Sequence, residues 1–248
     1  MGFQVKLKVM IFKSFIKERG ISLETFLAQV LNGLSLGSIY ALIALGYTMV
    51  YGIIQLINFA HGDVLMIGAF AGYFAIAILK MPFWVAMLFA MLISGLAGYL
   101  IERLAYRPLR KSARLTVLIT AIGVSLLLEN GGLVVLGADY KAFPLAIAKK
   151  SYLLFDGVIT ITNHQLLIFG VTIAMMVLLQ YIVNYTKIGK AMRAVSYDKE
   201  AAALMGINVD GIISTTFVIG SMLAAVAGVL LGLYYQTTIK LLSRCSIS

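Results

Sequence analysis

The sequence predicts an all-α fold: a polytopic transmembrane helical bundle with a broken helix near the N-terminal third. Three observations carry this. Of the 248 residues, 61% are hydrophobic and only 12% are charged, whereas a soluble domain has about 45–50% apolar and about 25% charged residues. Uncharged runs at 25–62, 81–101, 157–186 and 211–239 reach the length of about 20 residues that a helix needs to cross a bilayer. None of these runs alternates apolar and polar residues as the strands of a membrane barrel do.

The formal charge of +10 does not point to nucleic acid, because the basic residues cluster in loops, as cytoplasmic loops of membrane proteins do. The single cysteine, Cys245, excludes an intramolecular disulfide and a cysteine-cluster metal site. The segment 1–25 is basic between Lys6 and Arg19 and lacks the apolar core and small-residue cleavage site of a signal peptide. It reads as an amphipathic cytoplasmic segment lying along anionic lipid, or as an unstructured leader.

The elements follow in order. With a cytoplasmic N-terminus, parity requires three crossings between Phe26 and Leu79, or about 18 residues each, at the short end of the workable range. A helix broken between Gly46 and Gly62 satisfies that count. Irregular backbone at membrane depth must be covered by protein or line a cavity, so the break belongs at the centre of the bundle. The alternative is an external N-terminus. The span 81–101 leads into the loop 102–114, whose Arg103, Arg107, Arg110, Lys111 and Arg114 mark it as cytoplasmic. The span 115–136 leads out. The loop 137–163, with Pro144 and mixed charges, is external. The span 164–185 returns, 186–210 is cytoplasmic, and 211–235 exits again. That gives six or seven crossings within a membrane domain at 26–235.

Small residues recur four apart in three spans: Gly33, Gly37 and Ala41; Ala90, Ser94 and Gly98; and Gly220, Ala224, Gly228 and Gly232. Such stripes let helix backbones approach closely in lipid. Packing within this subunit is their expected use.

The loop 186–210 is a polar island made basic by Lys187, Lys190, Arg193 and Lys199. Within it, 198–206 reads as a short capped helix. Asp198 accepts from the exposed N–H groups at its start. Glu200 complements the positive end of its dipole, Ala201 and Ala202 give it a small face, and Gly206 closes it in the left-handed conformation. Such a helix at a membrane surface suits docking to a separate soluble protein.

A second polar stretch, Asn58 to Asp63, puts an amide, an imidazole and a carboxylate between apolar segments. A charge at the bilayer centre costs about 2.5–3.5 kcal/mol on insertion scales. Asn58, His61, Gly62 and Asp63 therefore read either as a kinked, cavity-lining element or as a polar joint with Asp63 capping the next helix. Glu129 and Asn130 lie at the outer end of a span or face the bundle interior, and His164 reads as a boundary residue. Two distant histidines make no metal site, and no nucleophile elbow or phosphate-binding loop is present. No catalytic residue, metal or cofactor is assigned to this chain; if ATP is used, another chain binds it.

Three stretches carry a resemblance. The first runs from Asn32-Gly33-Leu34-Ser35-Leu36-Gly37 through Gly46-Tyr47-Thr48-Met49-Val50-Tyr51-Gly52 to Asn58-Phe59-Ala60-His61-Gly62-Asp63. The second runs from Thr186-Lys187-Ile188-Gly189-Lys190 through Glu200-Ala201-Ala202-Ala203-Leu204-Met205-Gly206, and the third is Ala224-Ala225-Val226-Ala227-Gly228. Together they resemble the bacterial high-affinity branched-chain amino acid ABC transporter permeases of the LivH type, over roughly Leu31 to Tyr235. The resemblance implies a multi-pass inner-membrane transport subunit without enzyme activity. It implies pairing with a second related permease, two cytoplasmic ATPase subunits that hold ATP-Mg, and a periplasmic binding protein delivering leucine, isoleucine or valine. It sets Glu200, Ala201, Ala202 and Gly206 in the loop that docks into the ATPase, and matches Asn58, His61, Gly62 and Asp63 to a signature of the early broken helical region. Alternatives are a related permease for urea or short amides, and a passive channel without an ATPase. Residues 236–248 depart from the family pattern and read as a truncated or frame-shifted tail.

Overall fold

A computed structural model describes residues 23–55, 57–110, 112–137, 143, 151–154 and 159–235. Most of the segment 1–25 and all of the tail 236–248 lie outside the described residues. The helices are α1 (Leu23–Ile54), α2 (His61–Ala77), α3 (Phe83–Ile101), α4 (Arg114–Leu136), α5 (Asn163–Tyr185), α6 (Lys187–Tyr197), α7 (Lys199–Leu204) and α8 (Val209–Tyr235). Five of them, α1, α3, α4, α5 and α8, are long and apolar enough to cross a membrane; α2 is apolar but shorter.

The bundle is organised around α8. Hydrophobic on all sides, it is buried along most of its length, as such a helix must be, and α1, α2 and α3 pack around it. Two of the small-residue stripes make these contacts. Gly220 meets Gly46 and Val50 of α1, Gly228 meets Leu65 and Ala69 of α2, and Gly98 of α3 lies against Ser221. Gly33 and Gly37 of the first stripe instead have nothing within 4 Å of where a β-carbon would sit among the described residues. Helices α4 and α5 keep most of their apolar surface exposed.

The first third differs from the expectation of three crossings. Two helices occupy it, because Gly46 and Gly52 lie inside the continuous 32-residue α1. Gly46 serves a close helix crossing rather than a break. The helix ends at Gln55, which takes the left-handed conformation (φ 59°). The break is confined to 55–60.

Hydrogen bonds fix which ends lie together. Near the start of α1, Asn32 accepts from Gln165 Nε2 at 2.8 Å, and its carbonyl receives Tyr234 from the end of α8. At the end of α1 the Ile54 carbonyl accepts from Lys199 Nζ at 3.2 Å. With the basic loop 102–114 inside, α1 thus begins on the external side. The cytoplasmic placing of 1–25 followed from its charge, and residues 1–22 of that segment lie outside the described residues.

Two further features went unforeseen. The segment between α4 and α5 contains an antiparallel hairpin, β1 (Ser151–Leu154) and β2 (Ile159–Thr162), with Ser151 opposite Thr162 and Leu154 opposite Ile159. Its β-branched run Ile159-Thr160-Ile161-Thr162 favours a strand. Helix α3 continues as a π-helical turn, Glu102–Tyr106, in which the Arg107 N–H reaches the Glu102 carbonyl at 2.8 Å.

Candidate functional site

The polar island is two helices. Thr186 caps α6, its hydroxyl accepting from Gly189 N–H at 3.1 Å. Helix α6 is amphipathic: Met192 and Val195 are buried, while Lys190 and Arg193 are exposed. Asp198, in extended conformation, ends it and caps α7, its Oδ1 accepting from Glu200 N–H at 2.8 Å and Ala201 N–H at 3.0 Å.

The other end of α7 closes in the Schellman pattern. Ile207 N–H donates to the Ala202 carbonyl at 3.1 Å and Gly206 N–H to the Ala203 carbonyl at 3.0 Å. Gly206 has φ 80°, where a side chain would be strained. Ala202 is buried beneath the helix, whereas Glu200, Ala201 and Gly206 face outwards. Asn208 then caps α8 by accepting from Gly211 N–H at 3.0 Å.

The island also displays exposed large apolar side chains, and three of them stand almost fully bare. Tyr197 is 96% exposed, Leu204 89% and Met205 83%. They stand among charged residues outside the apolar spans, where lipid tails do not cover them.

The second candidate stretch does not form one pocket. Asn58 is buried, and its Oδ1 accepts from Tyr106 Oη at 2.8 Å and from Ala60 N–H at 3.1 Å, which pins the break against the π-helical turn. His61 is buried beside Gly46 and Gly220, its ring edge-on to Tyr47, and its Nε2 has no hydrogen-bond partner among the described residues. Gly46 lies eight residues back along α1 from Ile54, so the His61 side chain reaches inward from the end of α1. Of the described residues of the break, Asn58 and Ala60 are buried, while Gln55, Ile57 and Phe59 are exposed. Gly62 is exposed, and Asp63 is half-buried on another side, near Ser125 and Glu129 of α4. The N-cap of α2 is Ala60, without a side-chain cap, so Asp63 is a first-turn residue and not the cap. Glu129 and Asn130 lie inside α4, with Asn130 Nδ2 donating to the Leu126 carbonyl at 2.7 Å.

A charge network between the end of α3 and the start of α8 was not anticipated. The Glu102 carboxylate is fully buried; it accepts from Ser214 Oγ at 2.5 Å and pairs with Arg110. Arg110 also pairs with Asp210, which Arg107 holds from the other side at 3.1 Å. Counting only the basic residues of 102–114 as a topology signal hid this. The clue in the sequence was an acidic residue at the end of an apolar span followed by arginines.

The described residues form a bundle of apolar helices around a buried, glycine-rich helix, with a capped helix pair beside it. The chain is a multi-pass membrane permease of the transport class and not an enzyme. The family model described as branched-chain amino acid transport system / permease component matches residues 29–242, which takes in part of the tail. The LivH permease protein of the high-affinity branched-chain amino acid transport system of Salmonella typhimurium is 44% identical over 221 residues, 85% of this chain and 71% of that protein. The BraD permease protein of Pseudomonas aeruginosa is 45% identical over 85% of this chain and 72% of its own length. LivH of Escherichia coli is 44% identical over 228 residues. No solved structure matches the chain. The chain belongs to the branched-chain amino acid transport permease family and is a protein of the inner membrane.

Proposed function

We propose that this chain is the permease subunit of an ATP-driven importer for leucine, isoleucine and valine. It forms half of the translocation path and is coupled to a cytoplasmic ATPase through α7. The names of its relatives favour these amino acids over urea or short amides. The second half of the path belongs to a related permease. ATP-Mg binds to the ATPase pair, and a periplasmic binding protein delivers the cargo.

The observation that carries the coupling is the capped helix α7 with bare apolar side chains at both its ends, Tyr197 before it, Leu204 as its last residue and Met205 just after. Exposed apolar groups on an otherwise charged surface mark a protein contact. A passive channel has no use for such a rigid, apolar-tipped element on its water side. Closure of the ATPase pair on ATP would push α7, and α7 passes the motion to α1 through Lys199 and to α8 through the short turn at Gly206.

The test is co-expression with the ATPase and the second permease, followed by reconstitution with the binding protein. The unaltered complex takes up leucine when ATP is supplied, and the ATPase co-purifies. Leu204→Asp combined with Met205→Asp abolishes co-purification while the permease pair stays in the membrane. Retention of the ATPase by that double variant overturns the docking assignment.

A further inference from the structure

We propose that Glu102, Arg110 and Asp210 form the joint that makes α3 follow the docking helix, so that α3 and α8 swing as one body. The inference rests on the coupling role proposed for α7. Three observations support it.

Helix α7 is joined to α8 by the Schellman turn at Gly206 and the Asn208 cap, with no free linker between them. Any displacement of α7 is therefore delivered to the first turn of α8, which holds Asp210.

That turn is fastened to α3. Arg110 bridges two carboxylates with the two arms of its guanidinium, one to Glu102 and one to Asp210. Ser214, one turn further along α8, takes the second oxygen of Glu102. The fork geometry is specific to arginine, because a lysine ammonium is a point charge that cannot reproduce two directed arms. Glu102 has no exposed surface, while the Asp210 side chain is 51% exposed. A buried carboxylate with one partner removed leaves an uncompensated charge, so the joint resists opening.

The fastened part of α3 is its π-helical turn. Such turns are uncommon and recur at functional sites. The same turn carries Tyr106, which holds Asn58 of the break before α2 and packs its ring on Phe217 of α8. One short segment thus connects α3, α8 and the entry to α2. These residues are positioning residues and touch neither cargo nor nucleotide.

The experiment uses the reconstituted importer with both permeases, the ATPase and the binding protein, and reads leucine taken up per ATP hydrolysed. Asp210→Asn and Glu102→Gln are expected to keep the ATPase bound and hydrolysing while that ratio falls by about fivefold or more, a typical strength of coupling between sites. Asp210→Glu, which keeps the charge, restores the ratio, and Arg110→Lys does not. A merely structural role would lower the amount of folded complex without changing the ratio. Asp210 is exposed enough for its variant to fold even if the Glu102 variant does not. Normal stoichiometry in Asp210→Asn overturns the joint. If the unaltered complex shows no ATP-driven uptake, the functional reading fails instead.

Discussion

At the scale of residues, Gly206 ties conformation most closely to the proposed function. Its φ of 80° lies where a side chain costs about 1–2 kcal/mol, and a β-branched one is the least tolerated there. Gly206→Val should tilt α7 on its connection to α8. In reconstituted vesicles we expect ATP hydrolysis to continue while uptake falls; unchanged uptake rules out this role for the turn. Asp198, Glu200 and Gly206 were legible in the sequence because capping is local: each residue acts within a few positions of itself. The partners of Asn58 and Asp210 were not. Tyr106 lies 48 positions from Asn58, and Arg110 lies 100 from Asp210, and no local rule reports contacts at such separations.

At the scale of elements, glycines with the same spacing do different work. Gly98 lies against Ser221 and the Phe217 carbonyl, with no room for a β-carbon, while Gly37 has nothing within 4 Å. Overpacking a tight crossing costs about 1–3 kcal/mol, whereas valine at an open helical position is no worse than glycine. Gly98→Val should therefore lower the unfolding temperature in detergent, and Gly37→Val should leave it where it is. Equal effects would mean that the α3–α8 crossing is not the tight one. The spans themselves were visible from hydropathy. The division of 25–62 was misjudged because Gly46 and Gly52 look the same in sequence whether they break a helix or let another helix approach. What ends α1 is Gln55 at positive φ, an unusual conformation for a non-glycine residue that no sequence signal announces.

At the scale of the whole molecule, the path of the chain makes a prediction about sidedness. The start of α1 and the end of α8 share one face through Asn32 and Tyr234, and the island occupies the other. The chain has a single cysteine, Cys245, so a Cys245→Ser background is clean. On it, Thr25→Cys should react with a membrane-impermeant thiol reagent from the periplasmic side only, and Leu204→Cys only in inverted vesicles. Labelling of both from one side would require an odd number of crossings between them beyond those described. The exposed apolar faces of α4 and α5 are compatible with lipid and with a second permease alike, so at this scale the class of fold is legible and the assembly is not.

The π-helical turn at 102–106 has one more consequence. It differs from a regular helix by a single additional residue in its turn, and each residue advances a helix by about 100°. Removing Leu104, whose side chain faces outwards, would let α3 run on as an ordinary helix with every span intact. Because the wide turn absorbs its additional residue locally, Arg107 and Arg110 would keep nearly the same direction toward Asp210. The clasp between the docking helix and the bundle thus depends on the charges it carries rather than on the length of the chain at that turn, and a one-codon deletion there should leave the clasp closed.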